Sequence, residues 1–179
     1  MSQTNELEIM ERIALDLEGV EESLASSFNT GAEDFNALIR PLSAAGGKRL
    51  RAQLCLLIAN AGTSIERQRI KIAEAVEMLH LATLIHDDVL DQAEIRRGED
   101  TIHMHKGNKV AILSGDYLFA KAFKIVSEMT NMKYLQVFSH IITCLVEGEF
   151  MQMEDVYRID QGIERYMTKT QKKTADFME

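Results

Sequence analysis

The sequence predicts an all-α chain, an antiparallel helical bundle built as one domain over residues 1–179, and three observations predict it. Apolar residues recur at helical spacing through long uninterrupted windows. There is a single proline, no tryptophan, no internal repeat and no linker rich in proline, glycine or serine. Aromatic residues make up 6% of the chain against 46% hydrophobic, which suits helices packed through aliphatic side chains. A chain of 179 residues is long enough for one domain with a real core. Its ten methionines fit core filling, or a lining that accepts a flexible apolar partner.

Taken in order, residues 3–28 form an amphipathic helix with Leu7, Met10, Ile13, Leu17, Val20 and Leu24 on one side. Asn29-Thr30-Gly31 breaks it, and a second helix over residues 33–44 carries Pro41. Gly46-Gly47 opens the next helix, residues 50–61. Two glycines let backbone N–H groups approach an anion at a helix start, where the dipole also favours negative charge. Lys48 and Arg51, three residues apart, share a face there; two solvated cations on a loop are the plainer reading of the same residues.

The central helix spans residues 65–91, with Ile72, Val76, Leu79 and Thr83 at helical spacing, and ends in Asp87, Asp88 and Asp91. At 3.6 residues per turn Asp87 and Asp91 lie about 40° apart, one above the other. His80, seven residues before Asp87, falls on nearly the same line. Stacked carboxylates repel, and a divalent cation relieves the repulsion. Oxygen ligands one turn apart suit Mg2+, which takes one or two carboxylates, several waters and phosphate oxygens. A solvated acidic helix end is the alternative, at a cost of about 0.3–1 kcal/mol per carboxylate against the dipole. Arg96-Arg97 tips the balance, since guanidinium forks supply the bidentate contacts a metal–diphosphate site needs.

Beyond Gly98, His103 and His105 alternate in a polar stretch without a further ligand and are expected to face solvent, and His86 is expected to be structural. A helix over residues 108–129 carries the small residues Ala111, Ser114 and Gly115. A longer one, 131–157, places Glu149 and Gln152 on one face, and residues 163–177 form the last, with Lys173 and Thr174 near its end.

Several of these stretches together resemble a known family. Asp87-Asp88-Val89-Leu90-Asp91 with Arg96-Arg97-Gly98 is similar to the first aspartate-rich motif of the trans-polyprenyl diphosphate synthases. Gly46-Gly47-Lys48-Arg49-Leu50-Arg51, Gly115-Asp116-Tyr117-Leu118, Gly148-Glu149 with Gln152, and Lys173-Thr174 resemble that family's other motifs, in its order. The resemblance implies the isoprenoid synthase fold. It also implies head-to-tail condensation of isopentenyl diphosphate with an allylic prenyl diphosphate to a medium- or long-chain product. It assigns Asp87 and Asp91 to Mg2+, with Asp88 supporting. Arg96, Lys173 and Thr174 go to the allylic diphosphate, Lys48, Arg51, His80 and Arg97 to isopentenyl diphosphate, and Gln152 to substrate binding. Ala82 and Thr83, about one turn deeper than Asp87, are implied to set chain length; aromatic residues there stop growth early in the family, so small ones imply a longer product.

Three departures qualify the match. Ala52 and Asp100 stand where the family has proline, and no second aspartate-rich motif follows. The chain is therefore expected to be the N-terminal part of a synthase domain or a truncated paralogue, inactive alone. It would associate as a homodimer or heteromer through apolar faces left uncovered. The rival reading is a non-catalytic subunit that regulates a complete synthase. A metal phosphohydrolase built on His86-Asp87 is disfavoured, because His80 lies on the same helix roughly 120° from His86.

The net charge of −8 without a basic stripe excludes nucleic acid. No apolar run reaches the ~20 residues of a membrane span, and the acidic N-terminus is no signal peptide, so a cytoplasmic location is expected. Cys55 and Cys144, in apolar helical stretches, are expected to be buried thiols.

Overall fold

The structure, a computed structural model, describes residues 3–28, 33–44, 47–62 and 66–178. The elements are α1 (Gln3–Ser27), α2 (Glu33–Ala44), α3 (Leu50–Ala61), α4 (Glu66–Leu90), the strands β1 (Ile95–Arg96) and β2 (Glu99–Asp100), α5 (Ile102–Lys106), α6 (Asn108–Ser127), α7 (Lys133–Asp155) and α8 (Ile163–Thr170), and last a π-helical turn over Gln171–Ala175. The expected helices are all present. The β1–β2 hairpin and α5 lie where the sequence suggested only loop. Residues up to Glu128 form one compact unit and those from Met129 a second.

In the first unit α4 is the central element, packed by α1, α3 and α6. Ala73, Ala75, Met78, Leu79, Ala82 and Ile85 are all buried, so the helix hides more than one face, as a core helix must. Three carboxylates on it are buried as well, Glu74, Glu77 and Asp88, and the first two anchor neighbouring helices. Glu74 accepts hydrogen bonds from the hydroxyls of Ser23 and Ser27 on α1, each 2.7 Å, and from Lys71 Nζ. Glu77 accepts from the Ala52 backbone N–H at 3.1 Å and from Arg49 Nη1 at 3.3 Å, tying down the start of α3. A buried carboxylate without such donors would cost several kcal/mol.

The buried face of α1 differs from the expected one. Ile13, Val20 and Leu24 are buried, but Met10 is 64% exposed and Asp16 takes a core position instead. Arg69 Nε and Nη2 on α4 donate to the two Asp16 oxygens at 2.6 and 2.9 Å, and Asn60 Nδ2 adds 3.1 Å. Burial alone would raise the Asp16 pKa; these donors outweigh it and hold the carboxyl below its ordinary value.

On α6 the buried residues Ala111, Ser114, Gly115, Leu118, Ala122 and Val126 keep the helical repeat and face α4. A β-carbon on Gly115 would sit 2.2 Å from His86 Nε2, so the absent side chain makes room for the imidazole. In the second unit α7 packs against α8 and the π-helical turn. Buried Asp155 holds that arrangement, accepting from Arg165 Nε at 2.5 Å and Lys169 Nζ at 3.0 Å. Both cysteines are free thiols; Cys144 is buried as expected, whereas Cys55 is only half-buried.

Candidate diphosphate and metal site

The central helix stops at its acidic end rather than continuing past it. Ala93 N–H donates to the Asp88 carbonyl at 2.9 Å and Gln92 N–H to the Val89 carbonyl at 3.4 Å, with Gln92 at φ 52°. This is a Schellman termination with Gln92 in the left-handed position that glycine usually fills. Asp91 is therefore the C-cap, its N–H still donating to the Asp87 carbonyl at 2.8 Å. Its side chain is exposed, while Asp87, one turn earlier on the same line, is half-buried. Two carboxylates so placed fit a hard cation that draws its remaining ligands from water and phosphate. Asp88 points elsewhere. It is buried and accepts from Arg96 Nε at 2.7 Å.

That contact depends on the hairpin. Ile95 pairs with Asp100 and Arg96 with Glu99, which leaves Arg97-Gly98 as a two-residue loop. Both have positive φ, 54° and 86°, the signature of a type I′ turn. Thr101 closes its base, donating N–H to the Glu94 carbonyl at 3.0 Å and its hydroxyl to the Ala93 carbonyl at 2.8 Å. Arg96 is thereby turned back onto α4, and Arg97 is carried to the loop before α3. A β-carbon on Gly47 would lie 3.1 Å from Arg97 Nη2, so the guanidinium rests on the bare glycine backbone.

Gly46 lies outside the described residues. Arg49 caps α3 with φ 45° and is buried against Glu21, at 2.6 and 3.1 Å, and Glu77. Burial works against its charge, but the two carboxylates overcome this and raise its pKa. Arg49 is thus the structural member of Gly-Lys-Arg, leaving Lys48 exposed. An open cavity of about 620 Å3 beside this loop is walled by Glu18, Glu21 and Glu22 with Lys48, a poor match for a diphosphate.

Arg51 Nη1 lies 3.4 Å from His80 Nε2. With arginine as the donor, Nε2 accepts and the ring proton sits on Nδ1. Burial, then the charges of Arg51, Arg97, Arg96 and Arg49, push the His80 pKa down to about 4. His80 is neutral at pH 7 and sits within reach of four guanidinium charges. Arginines gathered in this way around a neutral imidazole are suited to a polyanion, although Arg49 and Arg96 already hold carboxylates. Ala82 is fully buried, and half-buried Thr83 donates its hydroxyl to the His80 carbonyl at 2.8 Å. His86 is fixed by the Ile112 carbonyl at 3.1 Å, its ring tilted 50° to that of Phe119 with centroids 5.4 Å apart. Beyond the hairpin, His103 bonds the Thr101 hydroxyl at 2.9 Å and His105 lies exposed, 3.7 Å from Asp100. His103 is therefore half-buried at the hairpin base, and only His105 faces solvent as expected.

In the second unit the last two motifs meet. Lys173 Nζ donates to Gln152 Oε1 at 2.8 Å and pairs with Glu149 at 2.5 Å; Thr174 is exposed. A β-carbon on Gly148 would approach Lys173 Cγ to 2.7 Å, which explains the glycine. The sequence singles out neither Glu77 nor Glu21 as a site-shaping residue, although it places Glu149 on one face with Gln152. A carboxylate inside an apolar helical run, as at Glu77, was the available signal.

The sequence model of the polyprenyl synthetase family matches residues 32–179. Heptaprenyl diphosphate synthase component 2 of Geobacillus stearothermophilus is 38% identical over 161 residues, 89% of this chain and 50% of that protein. Octaprenyl diphosphate synthase of Escherichia coli K12 is 33% identical over 171 residues, 96% and 53%. The crystal structure of a polyprenyl synthase from Caulobacter crescentus CB15, complexed with calcium and isoprenyl diphosphate, superposes with a TM-score of 0.89 at 34% identity, covering 94% of this chain and 52% of that one. The fold is that of the isoprenoid synthases, and the chain spans about half the length of the curated relatives it matches. On residues, motif order and fold together, this chain belongs to the polyprenyl synthetase family.

Proposed function

We propose that the chain carries the first aspartate-rich half of a trans-prenyltransferase site. That site joins isopentenyl diphosphate to an allylic prenyl diphosphate, giving a medium- or long-chain trans-polyprenyl diphosphate. The observation that carries this reading is the division of labour at the end of α4: Asp87 and Asp91 share one line, while Asp88 holds Arg96. Relatives named for heptaprenyl and octaprenyl products support the chain-length class. The Caulobacter relative, with calcium and isoprenyl diphosphate bound, supports pairing of a divalent cation with a diphosphate.

In this reading Asp87 and Asp91 hold Mg2+, which supplies charge stabilisation to the departing diphosphate. Arg96, Lys173 and Thr174 bind the allylic diphosphate. Lys48, Arg51 and Arg97 bind isopentenyl diphosphate, with neutral His80 contributing a hydrogen bond rather than a charge. Gln152 orients Lys173, to which it is already bonded. The allylic carbon–oxygen bond ionises, the isopentenyl double bond attacks the resulting carbon, and a proton leaves to the released diphosphate. No side-chain nucleophile is required. Among the described residues no helix is long and apolar enough to cross a membrane, which is compatible with a cytoplasmic enzyme.

A second reading, a subunit working in a heteromer, is favoured by the name of the Geobacillus relative as one component of a synthase. A homodimer is the alternative assembly. Two measurements test the proposal. Binding of a farnesyl thiodiphosphate to the chain should require Mg2+ and vanish when Asp87 and Asp91 are both alanine. Labelled isopentenyl diphosphate should be incorporated into a farnesyl or geranylgeranyl primer once the chain is fused to the C-terminal half of a relative. Incorporation that persists in the double alanine variant would refute the catalytic assignment. Stimulation of a complete synthase by the unfused chain would establish the regulatory reading.

A further inference from the structure

His140 and Cys144 lie one helical turn apart on α7, and Asp176 reaches the same point from the end of the π-helical turn. One ligand atom from each lies within 4.8 Å of the others. None of the three belongs to the diphosphate site, and none has a part in the proposed chemistry. We propose that they form a second metal site, for a thiophilic divalent cation of the zinc class, which clips the segment after Lys173 onto α7.

Geometry, ligand chemistry and charge support this. The Cys144 Sγ to His140 Nε2 distance is 3.5 Å. Zinc bonds of about 2.3 Å to sulfur and 2.0–2.1 Å to nitrogen at a tetrahedral angle place those atoms about 3.6 Å apart, so the pair is already set for one ion. Asp176 supplies a carboxylate oxygen within 4.8 Å of both atoms, close enough to serve as the third ligand. The carboxylate sits on a half-buried side chain tethered by Gln171 Nε2 at 3.3 Å. A sulfur, an imidazole and a carboxylate select a borderline-soft ion over Mg2+, which distinguishes this site from the paired aspartates on α4. The charged neighbours, Lys172 and Glu147, pair with each other. Thiolate and carboxylate therefore present two negative charges to a divalent ion, with the remaining position open to water. The thiolate is the ligand form, so metal binding displaces the Cys144 proton and affinity rises with pH.

Co2+, whose thiolate complexes absorb in the near ultraviolet, is the probe. Titrated into the reduced 179-residue chain, it should bind one equivalent with a thiolate-to-cobalt charge-transfer band. Zn2+ should bleach that band, and excess Mg2+ should not. Cys144→Ser should abolish it and Cys55→Ser should leave it intact. His140→Ala and Asp176→Asn, at positions that are not buried, should each weaken binding by at least about tenfold while the far-ultraviolet circular dichroism stays unchanged. These two variants keep the test decisive if Cys144→Ser disturbs the core. Absence of the band at saturating Co2+, its persistence in Cys144→Ser, or unchanged affinity in both surface variants would overturn the site. Because Mg2+ and diphosphate play no part in the readout, the result is independent of the prenyl-transfer proposal.

Discussion

Arg96 donates from Nε to Asp88 Oδ1 across 2.7 Å, and this one bond fastens the hairpin to the end of the central helix. It separates the three aspartates by task. The middle one is consumed by protein structure, and the outer two are left on the helix line. Asp88→Asn keeps the shape but weakens a charge-assisted bond, so stability should fall by about 1–2 kcal/mol in urea unfolding. Mg2+-dependent diphosphate binding should weaken about tenfold as Arg96 loses its orientation. Binding unchanged in Asp88→Asn would mean that Arg96 is positioned by other contacts.

Glu77 performs the same service for the loop before α3, through Arg49 and the Ala52 N–H. Glu77→Ala strips a buried acceptor from both and should cost about 2–4 kcal/mol. Glu77→Gln retains the bond from Ala52 and should cost less. In an active fusion, Glu77→Gln should raise KM for isopentenyl diphosphate with little change in kcat, since only ground-state positioning of Lys48 and Arg51 is disturbed. A fall in kcat at constant KM would contradict that role.

His80 makes folding pH-dependent. Its ordinary value is 6.5, and in the folded chain it lies at about 4. Between those values the unfolded chain binds more protons, so unfolding free energy rises with pH and is lost on acidification. Acidifying from pH 6.5 to 4 should remove about 2 kcal/mol at this half-buried site, solvent screening included. Denaturant titrations across that window should show the slope in the parent chain and a shallower one in His80→Gln. Equal slopes would assign the effect to other groups.

Gly115 and His86 form a steric pair. Gly115→Ala places a carbon where the imidazole lies and should destabilise by about 1–3 kcal/mol. The double variant with His86→Ala should recover part of that loss, a coupling read from a thermodynamic cycle. Additive losses would show that the tight fit is relieved by backbone movement instead.

Ala82 is fully buried on α4, about one turn below Asp87. If the growing isoprenoid runs past it, Ala82→Phe should shorten the product, scored by chromatography of the dephosphorylated alcohols. An unchanged product distribution in a folded, active variant would remove Ala82 from chain-length control.

Helix positions were legible in the sequence because apolar spacing and glycine breaks are local signals. The stacking of Asp87 and Asp91 needed only the helical repeat. The hairpin was not legible, since Arg97 supplies positive φ where a turn of this type favours glycine or asparagine. The Asp16–Arg69 core pair joins residues 53 apart, and no periodicity reports such a bond. The close fits at Gly115 and Gly148 appear only once two elements are packed together.

The wide turn over Gln171–Ala175 has a consequence for inheritance by insertion and deletion. Asp176 N–H reaches back five residues to the Gln171 carbonyl at 2.9 Å, one more than an α-helix would span. That extra residue offsets the angular phase of the residues downstream by roughly 100°. The inward aim of Phe177, which is buried, is thus set by residue count as well as residue type. Regularising this turn with all its residues retained would swing the tail away from its present packing, whereas removing a single residue here would restore an α-helix and keep Phe177 aimed inward.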